Sequence, residues 1–315
     1  MKTSAVNPRK AGIIGCGYVG SATAFCLMQS GLFDEMALLD ADTAKAEGEA
    51  LDIVHGVPFA RPMRIYAASY DEIADASVVI ITAGANQKPG ETRLQLSGRN
   101  VDVLGRIIPE LCSRGFGGLL LIVTNPVDIL TYAAVKISGL PWRRVIGSGT
   151  GLDTARLKYE LSRHLGVDAR SVHAFIVGEH GDSEIVTWSA ANVSGVPLDA
   201  FCELRGYYHH QATMREIADK VRGAAYEIID KKHATYYGIA MSVRRICEAV
   251  VRDEKSVLPV SVVSGDYGGI ALSLPTVVGS GGAETAVPVE LNGEEASLLA
   301  KSAAALRSVV RDLGL

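Results

Sequence analysis

Ala11-Gly12-Ile13-Ile14-Gly15-Cys16-Gly17-Tyr18-Val19-Gly20 decides the fold. An apolar strand-like run, Ala11–Gly15, ends in a G-x-G-x-x-G turn, and a helical pattern follows over Gly20–Ser30. In that setting each glycine serves a physical purpose, one for the tight turn, one for approach of a pyrophosphate, one for close packing of helix on strand. The helix N-terminus then offers N–H groups and a partial positive charge to phosphates. Leu38-Leu39-Asp40 closes the next apolar run 20 residues after Gly20, which places a carboxylate for ribose hydroxyls. That acid repels a 2′-phosphate, so NAD is favoured over NADP. Asp40 also suits a helix N-cap, which explains less.

The alternation continues. Met36–Asp40, Arg64–Tyr66, Val78–Thr82, Leu119–Thr124 and Arg144–Gly147 read as strands, with helical spacing between several of them, as in Ala44–Val54. Strands alternating with helices build a Rossmann-type, doubly wound parallel α/β sheet. Past residue 148 the pattern changes to a long helix over Thr154–Leu165 and strand-like stretches at His173–Val177 and Val257–Val263. Helices follow over Met214–Lys232 and Glu294–Leu313. No Pro-, Gly- or Ser-rich tether marks the change. The expected organisation is an NAD-binding unit over 1–147 and an α+β substrate-binding, catalytic unit over 148–315.

Composition excludes several function classes. The 315 residues are 48% hydrophobic and 21% charged, with a formal net charge of -4. Without a basic block, nucleic acid is not an expected partner. MKTSAVNPRK lacks the apolar stretch of a secretory signal, and runs such as Leu119–Val123 are far shorter than a membrane span. Cys16, Cys26, Cys112, Cys202 and Cys247 are odd in number and form no CxxC pair. They point to a reducing, cytoplasmic setting and to no metal site.

Further segments carry the chemistry. Gly84–Arg93 (GANQKPGETR) leaves the apolar run Val78–Ile81, at the sheet edge where ligands sit in open α/β folds. Its polarity and flanking glycines read as a closing lid that brings Arg93 and Gln87 to a small charged substrate. Asn125, after the fifth strand, offers an amide at the same edge, and Pro126 holds it extended. In Val177–Ser183 (VGEHGDS), His180 stands among small and acidic residues. Asp153 and Arg156, three apart at a helix start, share a face. The carboxylate is suited to orient an imidazole and favour its charged form, and the guanidinium to grip a substrate carboxylate with two bonds. The same spacing also makes ordinary surface Asp–Arg pairs, and a lone histidine is more often structural than catalytic.

Taken together, GANQKPGETRL, TNPVDILTY, GSGTGLDTARL, VGEHGDSE and ATYYGIA run in order across nearly the whole chain. They resemble the lactate/malate dehydrogenase family, most closely its bacterial L-lactate branch. The resemblance implies reversible hydride transfer between NAD and a 2-oxo acid, interconverting pyruvate and L-lactate. It implies His180 as proton donor and acceptor, Asp153 as its orienting partner, Arg156 as the grip on the substrate carboxylate, and Arg93 as the group polarising the carbonyl. Asn125 would bond the same region, and Thr235 would line the substrate pocket. Around NAD the resemblance places Gly15, Gly17, Val19, Gly20, Asp40, Lys45, Tyr70, Gly84, Ala85, Asn125 and Ser148.

Malate enzymes of the family carry an arginine at the position of Gln87. A neutral amide gives a second carboxylate no counter-charge, so pyruvate fits better than oxaloacetate. Lys88, flanked by Pro89, reads as solvated. Bacterial members are often activated by fructose 1,6-bisphosphate, and the resemblance maps that site to His173 and to Lys158, which stands where an arginine is usual. Lysine meets a phosphate as a point charge, without the bidentate fork. Gly151 replaces a bulkier residue and His233 a glycine. A homotetramer is implied by the resemblance.

Rival readings remain. One is a malate dehydrogenase, or another 2-hydroxy acid dehydrogenase, on the same scaffold. An NAD-dependent glycosidase would need a Cys/His metal site, which GEHGDSE does not supply. An NAD-sensing protein would need the glycine loop and Asp40, but not His180, Asp153, Arg156 and Arg93 together.

Overall fold

The computed structural model describes residues 5–85 and 92–315. Six parallel strands run through its first half: β1 (Asn7–Ile14), β2 (Glu35–Leu39), β3 (Arg64–Ala67), β4 (Ala76–Ile81), β5 (Leu119–Ile122) and β6 (Val145–Gly147). Their order in the sheet is β3-β2-β1-β4-β5-β6, the reversal falling between β1 and β4. The connections carry α1 (Tyr18–Ser30), α2 (Thr43–Val54), one-turn α3 (Tyr70–Ile73), α4 (Arg93–Ser113) and α5 (Val127–Ser138). All six expected strands form, each within a few residues of its expected bounds.

The two-residue period of the strands explains why helices lie on both faces. Ile13, Val78, Ile80, Leu119 and Leu121 bury into one core with Leu27 of α1 and Ile53 of α2. Their neighbours Ile14, Val79, Ile81, Leu120 and Ile122 bury into the opposite core with Leu104 and Ile108 of α4 and Leu130 of α5. Neither face of this sheet is left to solvent.

The second half opens with α6 (Gly151–Leu165) and short strands β7 (Val172–His173), β8 (Ile176–Val177), β9 (Ile185–Val186), β10 (Asn192–Val193) and β11 (Val196–Pro197). It continues through α7 (Leu198–Leu204), α8 (Gln211–Lys232) and α9 (Tyr237–Val251), then β12 (Ser256–Ser264), β13 (Ile270–Gly279), β14 (Gly282–Ala286) and α10 (Gly293–Asp312). Two features differ from the reading of the sequence. The stretch His173–Val177 is two strands in separate small sheets, β7 pairing with β10 and β8 with β9. Of the antiparallel strands β12, β13 and β14 the reading named only β12, and the three extend the large sheet through the pair Ser261–Gly147. Among the described residues the sheet thus has nine strands and runs from one half into the other.

Helix α9 ties the halves together a second time. Val243, Ile246, Cys247 and Val250 recur at spacings of three and four, and they bury in the same core as Ile13 and Leu27. Helix α8 ends at His233, whose φ of +69° is left-handed. Glycine adopts that conformation freely, whereas a side chain costs about 1–2 kcal/mol there. His233→Gly should relieve that strain, less about 0.4–1 kcal/mol for the freer unfolded chain. The expected result is a higher urea midpoint at unchanged m-value; a midpoint lowered by the equivalent of about 0.4–1 kcal/mol would mean that the cap is unstrained.

Candidate active site

The glycine loop and the carboxyl edge of the sheet form one end of the site. Gly20 must be glycine, because a Cβ there would lie 1.9 Å from the Gly15 carbonyl oxygen where α1 crosses the strand. Gly17 is different: a Cβ would meet nothing within 4 Å, so no protein atom explains the missing side chain. An approaching phosphate does. Gly17 also caps α1 without any side-chain bond to the first turn, which leaves the helix N-terminus to a ligand.

Asp40 stands beside this loop. Its Oδ2 accepts the Cys16 N–H at 2.6 Å and its Oδ1 the Asp42 N–H at 3.0 Å, which fixes the carboxylate with lone pairs still available for ribose hydroxyls. The N-cap of α2 is Asp42, which accepts from the Lys45 N–H, so capping does not account for Asp40. These residues fit an NAD dinucleotide. Val19 is half-buried in the first turn of α1, and Lys45 is exposed at the start of α2. Tyr70 is half-buried at the start of α3, with the Arg114 guanidinium 5.5 Å over its ring.

Two loops meet at the middle of the edge. A Cβ on Gly84 would come within 2.2 Å of the Thr124 methyl, so only glycine lets the loop after β4 pass this close to the loop after β5. Asn100 on α4 clamps them. Its Oδ1 accepts the Ala85 N–H at 2.8 Å, and its Nδ2 donates to the Asn125 carbonyl at 2.8 Å. Asn125 itself is exposed, with a cis bond to Pro126. Ser148 is buried just past β6, its N–H donating to the Ile122 carbonyl at 2.8 Å. Sequence reasoning missed Asn100; a lone amide on the buried face of α4 was the available signal.

The other end holds the titratable groups. His180 Nδ1 lies 2.6 Å from Asp153 Oδ2, and Arg156 donates to Asp153 Oδ1 at 2.9 Å. Asp153 is 2% exposed at the start of α6. Burial opposes its charge, but the nearby His180 and Arg156 hold it below the usual carboxylate range. An ionised carboxylate only accepts, so the proton between them belongs to Nδ1, and Nε2 is the ring atom left for a further partner. Burial also opposes charge on His180, yet Asp153, aided by Asp128 and Glu184, prevails and pushes the imidazole up to about 9.

Two buried acids that the sequence reading left out complete this end. Glu184 is 7% exposed, and burial together with the charge of Asp153 pushes it up to about 8. It is therefore largely neutral at pH 7. Asp153, His180 and Glu184 each bring a ligating atom within 4.8 Å of the others, the one such group among the described residues. A ring protonated at neutral pH and the Arg156 cation on the shared carboxylate both oppose a metal ion there. The second acid, Asp128, lies beneath His180 and accepts its backbone N–H at 2.7 Å.

Thr235 is half-buried in the turn between α8 and α9. Its neighbour Tyr236 stacks on Tyr18 of the glycine loop with ring centroids 5.5 Å apart, so this turn and the dinucleotide loop touch. Arg93 opens α4, but its side chain, like Gln87 and Lys88, lies outside the described residues. Lys158 is half-buried on α6, where burial lowers its pKa, and His173 is exposed on β7, which packs against α6.

A dinucleotide cradle joined to a His–Asp–Arg cluster defines an NAD-dependent dehydrogenase site. Residues 9–147 match the lactate/malate dehydrogenase NAD binding domain, and residues 150–313 the alpha/beta C-terminal domain of the same enzymes. The chain belongs to the lactate/malate dehydrogenase family. Among its relatives, an L-lactate dehydrogenase of Acetivibrio thermocellus is 50% identical over 310 residues, 98% of each chain. One of Moorella thermoacetica is 48% identical over 312 residues, again 98% of each. Among solved structures, MGS-M5, a lactate dehydrogenase from a Medee basin deep-sea metagenome library, superposes with a TM-score of 0.93 at 44% identity, covering 98% of this chain and 99% of that one. The minor L-lactate dehydrogenase of Enterococcus mundtii, in its ligands-bound form, gives 0.93 at 42% identity over 96% and 98%.

Proposed function

We propose that this chain is an NAD-dependent L-lactate dehydrogenase that reversibly reduces pyruvate to L-lactate. The observation that carries the mechanism is the His180–Asp153–Arg156 cluster, in which one buried carboxylate holds both the imidazole and the guanidinium. Gly17, Asp40, Ala85 and Asn125 would hold the dinucleotide, whose nicotinamide would supply or take up the hydride.

The chain's own residues do the rest. His180 is protonated at neutral pH and delivers the Nε2 proton to the oxygen of the reduced carbonyl, then regains one for the next turnover. Asp153 keeps the ring in that orientation and stabilises its charge. Arg156 gives one of its five N–H donors to Asp153, and its remaining donors pair with the substrate carboxylate. Arg93, Asn125 and Thr235 take the roles of carbonyl polarisation, oxygen contact and pocket wall. Closure over the substrate excludes water and strengthens each of these interactions.

Gln87 favours a monocarboxylate. Steady-state rates with NADH should give a higher kcat/KM for pyruvate than for oxaloacetate, and a preference for oxaloacetate would overturn this assignment. Gln87→Arg should move the ratio toward oxaloacetate by about tenfold or more, since one charge-assisted pair contributes ~1.5–3 kcal/mol.

The chain divides after Gly147 into a dinucleotide-binding and a catalytic unit that share one sheet. A homotetramer fits the family's habit. Lys158 and His173 supply cationic groups for a fructose 1,6-bisphosphate effector, weakened by the lost guanidinium. A cytoplasmic setting fits five free cysteines. No helix among the described residues is long and apolar enough to cross a membrane.

A further inference from the structure

Asp128 sits in the first turn of α5 with 1% of its surface exposed, an expensive place for a carboxyl group. Its Oδ2 accepts the His180 backbone N–H at 2.7 Å. Its Oδ1 accepts the Ser261 hydroxyl at 2.6 Å, with the Ser273 hydroxyl at 3.5 Å. Ser261 and Ser273 are cross-strand partners on β12 and β13. Ser273 also exchanges two backbone hydrogen bonds, both 2.9 Å, with Gly178, two residues before His180. One carboxylate therefore joins α5, the β12–β13 pair and the histidine segment.

We infer that Asp128 is a positioning residue for the proton donor, setting the place of His180 through its backbone and supplying a buried negative charge beneath it. The inference rests on the reading of His180 as that donor. Hydrogen bonding alone does not demand an acid here. An asparagine would accept the same N–H through Oδ1 and donate its amide to Ser261, at no cost for a buried charge. The charge makes sense if it supports the imidazolium. Asp128 titrates at about 6, raised mainly by burial, so it is mostly ionised at pH 7. Around the ring stand Asp153 and Arg156 from α6, Asp128 from α5, and Glu179 and Glu184 from the histidine's own segment, with Arg222 of α8 acting on Glu184. Of the acids, Asp128 alone also holds the histidine's main chain.

Asp128→Asn separates charge from geometry. An ionised Asp128 favours the protonated ring, so its loss should move the His180 titration to lower pH. The midpoint is read in the ligand-free protein from the His180 Cε1–H resonance, identified by its loss in His180→Asn. The alkaline limb of pyruvate reduction should fall to lower pH with it. Asp128→Ala also removes the acceptor, and displacing the donor should cost about 10²-fold in kcat with little change in KM.

An unmoved midpoint in Asp128→Asn, with only the melting temperature changed, would reduce Asp128 to a structural anchor and overturn the proposal. If Asp128→Asn does not fold, Asp128→Ser decides. It removes the same charge, so the His180 midpoint should still fall; no movement overturns the proposal. If the parent protein fails to reduce pyruvate, the functional reading falls, and the resonance still decides the role of Asp128.

Discussion

His180→Asn should lower kcat for pyruvate reduction by about 10²–10⁴-fold, the range a positioned general acid contributes. That corresponds to about 3–5 kcal/mol of barrier at 1.36 kcal/mol per tenfold. The side chain is one-quarter exposed, so the fold should survive its replacement. KM for pyruvate should move far less if, as proposed, the carboxylate grip lies on Arg156. Asp153→Asn is the informative companion. The amide oxygen can still accept from Nδ1–H, but the negative charge that pushes His180 up to about 9 is gone, and the imidazole must fall toward its ordinary value. Reduction needs the protonated ring. In the parent protein it should therefore hold through neutral pH and decline as pH rises through about 9. Lactate oxidation, which needs the free base, should rise over the same range. In Asp153→Asn both limbs should shift to lower pH. Full activity in His180→Asn, or a pH profile indifferent to Asp153, would remove His180 from the chemistry.

The parts of the site legible in the sequence were those with local grammar. Gly15, Gly17 and Gly20 sit in one turn, and Asp153 and Arg156 are one helical turn apart, so spacing alone brings each set together. Asn100, Asp128 and Glu184 act across the fold. Asp128 meets Ser261 across 133 residues, and Asn100 meets Asn125 across 25. Neither pairing has a periodic signature, and a polar residue inside a helical pattern reads as solvated until the opposing element is known. Glu184 was quoted as part of a motif, yet only its burial reveals a carboxyl that remains largely neutral at pH 7.

The fold divides along the same line. Strands β1, β2, β4, β5 and β6 announce themselves through apolar runs, because a parallel strand segment buried on both faces has little room for polar residues. The joining of β12 to β6 rests on the single pair Ser261–Gly147. A Cβ on Gly147 would lie 2.8 Å from the Ser261 Cβ, so the glycine permits the contact, but nothing local predicts which strand arrives there. This joint places the floor beneath His180 on the same sheet as the dinucleotide loop. Hydride and proton must reach adjacent atoms of one substrate, and a continuous sheet holds their two sources at a fixed separation.

Arg156 carries the second large effect. Arg156→Lys keeps a positive charge but loses the planar fork, which should cut kcat/KM for pyruvate by about 10- to 100-fold, chiefly through KM. Arg156→Leu should cost more, about 10³-fold, because breaking a desolvated ion pair leaves its partner unpaired at ~3–5 kcal/mol. Asp153 is 2% exposed and would retain only His180, so the leucine variant should also melt lower than the lysine one. A neutral ketone such as acetone separates the grip from the rest of the machinery, since it has no carboxylate to hold. The parent protein should prefer pyruvate strongly, and Arg156→Leu should lose most of that preference while its slow turnover of acetone changes little. If instead both substrates fall together, Arg156 acts only by steadying Asp153 and His180, and the substrate carboxylate is held elsewhere. The arrangement favours the first outcome. Arg156 gives a single donor to Asp153 at 2.9 Å, and its side chain, 15% exposed, is open enough to meet a small anion while remaining dry enough for the charge to count.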